Sequence, residues 1–125
     1  MKKSYYHRGG NTPLLGQTIA EHFASIVAQF PDRDAVISVP QQQQLTYLQL
    51  SEQVDIVARG LLGFGFCKGD RIGIWSTNNL PWILMQMATA RIGVILVNIN
   101  PAYRVQEVEY ALKQSQVQCL VMIPA

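Results

Sequence analysis

Between Lys68 and Leu112 the chain passes through two strand-loop-helix units with almost no sequence to spare, and a third apolar run follows them. Arg71–Trp75, Val94–Val97 and Cys119–Ile123 read as strands, being short, apolar and rich in β-branched residues. The last two are almost continuously apolar, which is how strands covered on both faces look. Helices are expected at about Leu80–Ile92 and Arg104–Gln114, so the order is strand, helix, strand, helix, strand. Connections of this kind between parallel strands are right-handed. The fold class is therefore α/β: a parallel sheet with right-handed strand-helix-strand crossovers, preceded by an N-terminal helix and a short hairpin.

The preceding elements are read from their caps and periodicity. Thr18 and Glu21 stand at capping-box spacing, and Ile19, Phe23, Ile26, Val27 and Phe30 then share one helical face that is expected to pack, until Pro31 ends the helix. Ala35–Val39 and Gln44–Tyr47 are short strands, joined across Pro40 and a run of glutamines that reads as a polar turn. Thr46 and Gln49 repeat the capping-box spacing ahead of a helical stripe of Leu50, Val54, Val57, Ala58, Leu61 and Leu62. Residues 1–12, with Gly9-Gly10-Asn11 and no periodicity, are expected to form a mobile N-terminal arm, and 13–125 the folded portion.

Glycines cluster in Gly63-Phe64-Gly65-Phe66-Cys67-Lys68-Gly69. A phosphate-binding loop must follow a strand and open a helix, where free N–H groups and the positive dipole end meet the anion. These glycines close a helix instead, where unpaired carbonyls make the field negative. They read as helix-capping glycines, with Lys68 compensating the dipole.

In a parallel sheet, the loops Ser76-Thr77-Asn78-Asn79 and Asn98-Ile99-Asn100-Pro101 both leave carboxyl ends of strands on the same side of the sheet, the rim where open α/β sheets bind ligands. Asn78, Trp82, Asn98, Asn100 and Tyr103 are accordingly the pocket-rim candidates. Each also has a structural reading. Asn78 or Asn79 caps the next helix with Pro81 in its first turn, Asn100-Pro101 fixes a turn, and Trp82 and Tyr103 anchor packing. The helix from Leu80 to Ile92 is apolar nearly all round, which suits a helix buried between the sheet and another layer.

Several function classes are excluded by composition. The net charge of +2 comes from scattered basic residues, with no run longer than Lys2-Lys3, so no nucleic acid is expected as a partner. Cys67 and Cys119 are too far apart for a CxxC pattern and read as isolated buried thiols, while His7 and His22 match no metal-ligand spacing. No apolar run approaches the ~20 residues of a membrane-spanning helix, and none follows the basic start as in a signal peptide, so a cytoplasmic location is expected. At 49% hydrophobic and 14% charged residues, the chain has much to bury.

Gly69-Asp70-Arg71 before an apolar strand, Asn78 and Trp82 at the opening of a helix, and Asn98-Ile99-Asn100-Pro101 followed by Glu107 and Tyr110 together carry a family resemblance. In that order and spacing they resemble the N-terminal subdomain of AMP-forming acyl-CoA synthetases, within the acyl-adenylate-forming superfamily. The resemblance extends through Phe30-Pro31-Asp32-Arg33, Leu45-Thr46-Tyr47-Leu48-Gln49-Leu50 and Ala58-Arg59-Gly60-Leu61-Leu62, covering the chain from about Pro13 onward. Gly69–Trp75 and Leu96–Arg104 look most like medium-chain fatty acyl-CoA synthetases. There, Arg104 stands where many members place a capping threonine, and guanidinium can only donate.

The resemblance implies a parent enzyme that uses ATP, Mg²⁺ and CoA to turn a fatty acid into an acyl-adenylate and then a thioester. It also implies a Ser/Thr/Gly-rich loop ending in Pro-Lys-Gly, a Tyr-Gly-x-Thr-Glu segment, a ribose-binding Asp, a hinge and a late lysine, none of which occurs before Ala125. The chain is thus expected to be the partial N-terminal subdomain of a fatty acid–CoA ligase, with no catalytic, cofactor-binding or metal residue of its own. Its expected partners are the remainder of the parent enzyme and a second copy, as a homodimer through the exposed sheet edge at Cys119–Ile123. The alternatives are a stand-alone non-catalytic α/β binding or oligomerisation module, and a nucleotide-binding Rossmann protein, which this chain resembles in alternation but not in its glycines.

Overall fold

The computed structural model describes residues 9–10 and 15–122. The arm expected over residues 1–12 lies outside them apart from Gly9 and Gly10, and so does Ile123, the expected end of the last strand. The elements run α1 (Ile19–Gln29), β1 (Asp34–Ser38), β2 (Gln43–Thr46), α2 (Tyr47–Gly63), β3 (Arg71–Trp75), α3 (Leu80–Ile92), β4 (Ile95–Ile99), α4 (Val105–Ser115) and β5 (Cys119–Met122).

Both capping boxes form. At α1 the Thr18 Oγ1 accepts the Glu21 N–H at 3.2 Å, while the Glu21 carboxylate accepts the Thr18 N–H at 2.8 Å. At α2 the Gln49 side chain accepts the Thr46 N–H at 2.9 Å, and Thr46 Oγ1 returns the bond at 3.3 Å. Thr46 also closes β2, so hairpin and helix share a residue and their angle is set without a linker. β1 and β2 pair antiparallel, with the register shifting between Asp34 and Val36.

The glycines after α2 cap it. Gly65 takes a left-handed φ of 92°, its N–H donates to the Leu62 carbonyl at 2.9 Å, and the Phe66 N–H donates to Leu61 at 3.2 Å, the Schellman pattern. Phe66 then packs against the core. Lys68 follows this cap. Its stem covers Gly93, the left-handed C-cap of α3, and a Cβ there would come within 2.9 Å of Lys68 Cγ. The turn Cys67–Asp70 needs Gly69 at φ 95°, and Asp70 ties it by accepting the Cys67 N–H at 2.7 Å. Cys67 is exposed in that turn, and Cys119, at the start of the edge strand β5, is half-buried, correcting the expectation of two buried thiols.

The second sheet is parallel, in the order β4-β3-β5. Right-handed crossovers that run in opposite directions across the sheet, from β3 to β4 through α3 and from β4 back past β3 to β5 through α4, place the two helices on opposite faces. Ile72 and Ile74 of β3 join Leu50, Val54, Met85 and Ala88 in a core built with α1, α2 and α3. Gly73 points the other way, where an added Cβ would meet Leu120, Val117 and Ile99 at 3.1 to 3.2 Å, and Val108 of α4 is buried apart from the main core. Only β3 is covered throughout. β4 and β5 are edges with exposed positions, so the expectation that these two were the fully covered strands is corrected.

The face expected of α1 is likewise only partly packed: Phe23 is buried, Ile26 and Val27 are half-buried, and Ile19 is 62% exposed. Arg91 of α3 joins the three N-terminal helices, pairing with Asp55, reaching Ser51 Oγ at 3.2 Å and lying 5.9 Å from the Phe23 ring centre. Thr89, the one fully buried polar side chain among the described residues, donates to the Met85 carbonyl at 2.7 Å.

Candidate functional site

The parallel register brings Trp75 beside Ile99, so the loops after β3 and β4 emerge together. After β3 the chain must start a helix at once. Asn79 adopts extended backbone and accepts the Trp82 N–H at 2.8 Å, with Pro81 in the first turn. Asn79 is thereby used up as a cap, which leaves Asn78 exposed at the rim. After β4, Asn100 Oδ1 accepts the Ala102 N–H at 2.9 Å, and its carbonyl accepts both Trp75 Nε1 at 3.1 Å and the Tyr103 N–H at 3.0 Å. Asn100 therefore shapes the turn as well as facing the rim.

Between the loops lies an open cleft of about 510 Å³, lined by Ser76, Thr77, Asn78, Trp82, Asn98, Ile99, Asn100 and Pro101. Four of the five rim candidates meet there. Tyr103 does not: the Asn100 turn carries the chain past the rim, and Tyr103 faces Gln106, Glu107 and Tyr110 in a separate depression of about 290 Å³. At the start of α4, Glu107 accepts the Arg104 N–H at 2.7 Å, which is the carboxylate half of a capping box; the Arg104 side chain gives no cap bond in return, since guanidinium has no acceptor.

None of the described residues lining the cleft is charged. Ser76 Oγ donates to the Thr77 carbonyl at 2.7 Å and accepts from Asn79 Nδ2 at 3.0 Å, so its hydroxyl is engaged and no general base stands against it. The described residues hold no group of three or more His, Cys, Asp or Glu that could bind a metal ion. Glu21 is held below the usual carboxylate range by the Thr18 N–H and then the Thr18 hydroxyl, but it caps α1 and is not among the residues that line the cleft. Carboxamides, hydroxyls and a half-buried indole can orient a neutral polar ligand. They cannot neutralise a triphosphate or bring a proton to a reacting atom.

Two features lay beyond local sequence patterns. Gln41, from the glutamine turn, accepts the Leu80 N–H at 2.9 Å and lines a second cavity of about 210 Å³ with Ile74, Ser76, Asn79, Trp82 and Val121 among others. The exposed side of α1 forms an apolar groove of about 440 Å³ with Leu15, Ile19, Phe23, Tyr47 and Met87. Nothing local singles out Gln41 among its neighbours. The incomplete burial of Ile19 becomes visible only when the packing partners are placed.

Comparison with known proteins gives a consistent result. The family model described as AMP-binding enzyme matches residues 23–124. The mitochondrial medium-chain acyl-CoA ligase ACSF2 of Macaca fascicularis is 42% identical over 118 residues, covering 94% of this chain and 19% of that protein. The putative acyl-CoA synthetase YngI of Bacillus subtilis is 36% identical over 110 residues, covering 88% of this chain and 20% of that protein. Among solved structures, the N-terminal subdomain of Klebsiella oxytoca NpsA in complex with 3-hydroxybenzoyl-AMSN superposes with a TM-score of 0.80 at 26% identity, covering 84% of this chain and 26% of that one. The chain thus spans about a fifth of the length of the curated relatives it matches.

Proposed function

This chain belongs to the AMP-binding enzyme family, and we propose from this that it is the N-terminal part of a ligase that activates medium- or longer-chain fatty acids. In the proposed reaction a carboxylate oxygen attacks the α-phosphorus of ATP and pyrophosphate leaves. The CoA thiolate then attacks the acyl carbon and AMP leaves. The observation that carries this reading is the 42% identity to a medium-chain acyl-CoA ligase over 94% of the chain.

The share of these residues in that reaction is structural. The lining of the cleft does not fit ATP and Mg²⁺, having no cation for phosphate oxygens and no carboxylate for a metal. Charge neutralisation and positioning of the nucleophile dominate such chemistry, so those groups belong to the rest of the polypeptide. Asn78, Trp82, Asn98 and Asn100 form a neutral wall of the ligand cleft, and the outer edge of β5 is where the remaining sheet joins. Without it, a second copy pairs there, and the chain alone associates over micromolar concentrations in light scattering.

Fatty-acid-dependent exchange of pyrophosphate into ATP tests the proposal. The 125-residue chain gives no exchange above a protein-free control, whereas a longer polypeptide containing it does so with carboxylates of graded length. Exchange by the short chain would overturn the structural role, and absence of exchange from the longer one with every fatty acid would overturn the ligase.

A further inference from the structure

The β1–β2 turn reaches the cleft through one side chain. Gln41 Oε1 accepts the Leu80 N–H at 2.9 Å and the Ser38 hydroxyl at 3.0 Å. Leu80 and Trp82 hold the first and third positions of α3, two of the four N–H groups that a helix start leaves free. Asn79 satisfies Trp82 from within the loop, and Gln41 satisfies Leu80 from 39 positions upstream. Asn79 Nδ2 then holds Ser76 Oγ, which donates to the Thr77 carbonyl, so an unbroken set of bonds and packed residues runs from hairpin to cleft rim.

The geometry of the turn is unusual at the same place. Gln42 is left-handed, at φ 51°, with its N–H donating to the Val39 carbonyl at 3.2 Å. Non-glycine residues rarely adopt that conformation, and it persists where the surroundings over-determine it. Gln41 lines the smaller cavity and not the polar cleft, but Ser76 and Trp82 line both. The side chain therefore stands behind the wall that divides them.

We propose that Gln41 is a positioning residue for the cleft. The hairpin turn, through Gln41, sets where the Ser76–Asn79 loop and the Trp82 indole stand, and a shift of the hairpin is transmitted to the cleft rim. This rests on the ligase reading only for what enters the cleft. Leu80 is 6% exposed, and in Gln41→Leu its N–H loses its acceptor. A part-buried donor without an acceptor costs more than the bond itself contributed, so the start of α3 must move towards water.

Amide resonances and hydrogen exchange of the chain, in wild type, Gln41→Leu and Gln41→Glu, test this without any substrate. In Gln41→Leu the Leu80 amide exchanges about tenfold faster, and the amides of Thr77 and Asn78 and the Trp82 indole N–H shift. Gln41→Glu, whose carboxylate accepts the same bond and suits a helix start, restores both. A role confined to stability would lower the unfolding midpoint while leaving Thr77, Asn78 and the indole unmoved, and that result overturns the proposal, as does a failure of Gln41→Glu to restore them. Should Gln41→Leu not fold, Gln41→Asn, one methylene too short to reach Leu80, gives the same comparison. Pyrophosphate exchange reads the ligase proposal separately, so the two can fail independently.

Discussion

Arg71 Nη1 donates to Gln116 Oε1 at 2.7 Å, joining the first residue of the central strand to the left-handed residue that ends α4. The Gln118 N–H donates in turn to the Arg71 carbonyl at 2.9 Å, so one residue guides the chain from α4 into β5. Arg71 belongs to the Gly69-Asp70-Arg71 motif that carries the family resemblance, and here its work is to set a crossover.

Gln116 has φ 55° and ψ 44°, a conformation costing an L-residue with a Cβ about 1 kcal/mol. Gln116→Gly relieves that cost and loses only an exposed hydrogen bond, leaving stability unchanged or raised by up to about 1 kcal/mol. Gln116→Val, branched at Cβ, lowers it by about 1–2 kcal/mol. Urea midpoints of the three proteins decide the order, and a Val variant as stable as Gly would contradict it.

Gly73 lies on the β3 face turned to α4, where an added methyl meets Leu120 Cδ1 and Val117 Cγ1 at 3.1 Å and Ile99 Cδ1 at 3.2 Å. Gly73→Ala overpacks that face and destabilises by about 1–3 kcal/mol. The double variant with Leu120→Val recovers part of the loss. Additive losses in the double variant would show that Leu120 is not the obstruction.

Arg91 bridges three helices, but Asp55 in its ion pair is 53% exposed by side chain. Water screens much of that pair, so Arg91→Met costs no more than about 1 kcal/mol through the Asp55 interaction. Raising salt from low to molar concentration narrows the gap between wild type and variant. A gap insensitive to salt would assign the loss to packing over Phe23 instead.

Glu21 is held below its ordinary range by the Thr18 N–H and hydroxyl. A depressed folded value means that the capping contribution is fully present above the unfolded value of about 4.3 and fades as pH falls through the lower, folded one. Protection factors along α1, with the intrinsic pH dependence of amide exchange divided out, therefore fall on acidification through that window. Glu21→Gln keeps an acceptor without a titrating proton and removes this part of the pH dependence.

What the amino acids determine without reference to the rest of the molecule is what short-range chemistry decides. Thr18 with Glu21, Thr46 with Gln49, and Asn78 or Asn79 with Pro81 place three helix starts, because a cap and its N–H lie within one turn. Arg71–Trp75 and Leu80–Ile92 keep their expected bounds, since the change of period falls at a loop rich in polar residues. The common rim for Asn78, Asn98 and Asn100 also follows, because parallel strands leave no other side for their loops. Tertiary structure decided the rest. β3 became the covered strand through the order β4-β3-β5, Tyr103 was turned away by the Asn100 carbonyl, Cys67 was left in water, and Gln41 was brought to Leu80. Each depends on residues tens of positions apart meeting in space, and neither periodicity nor composition specifies which partners those will be.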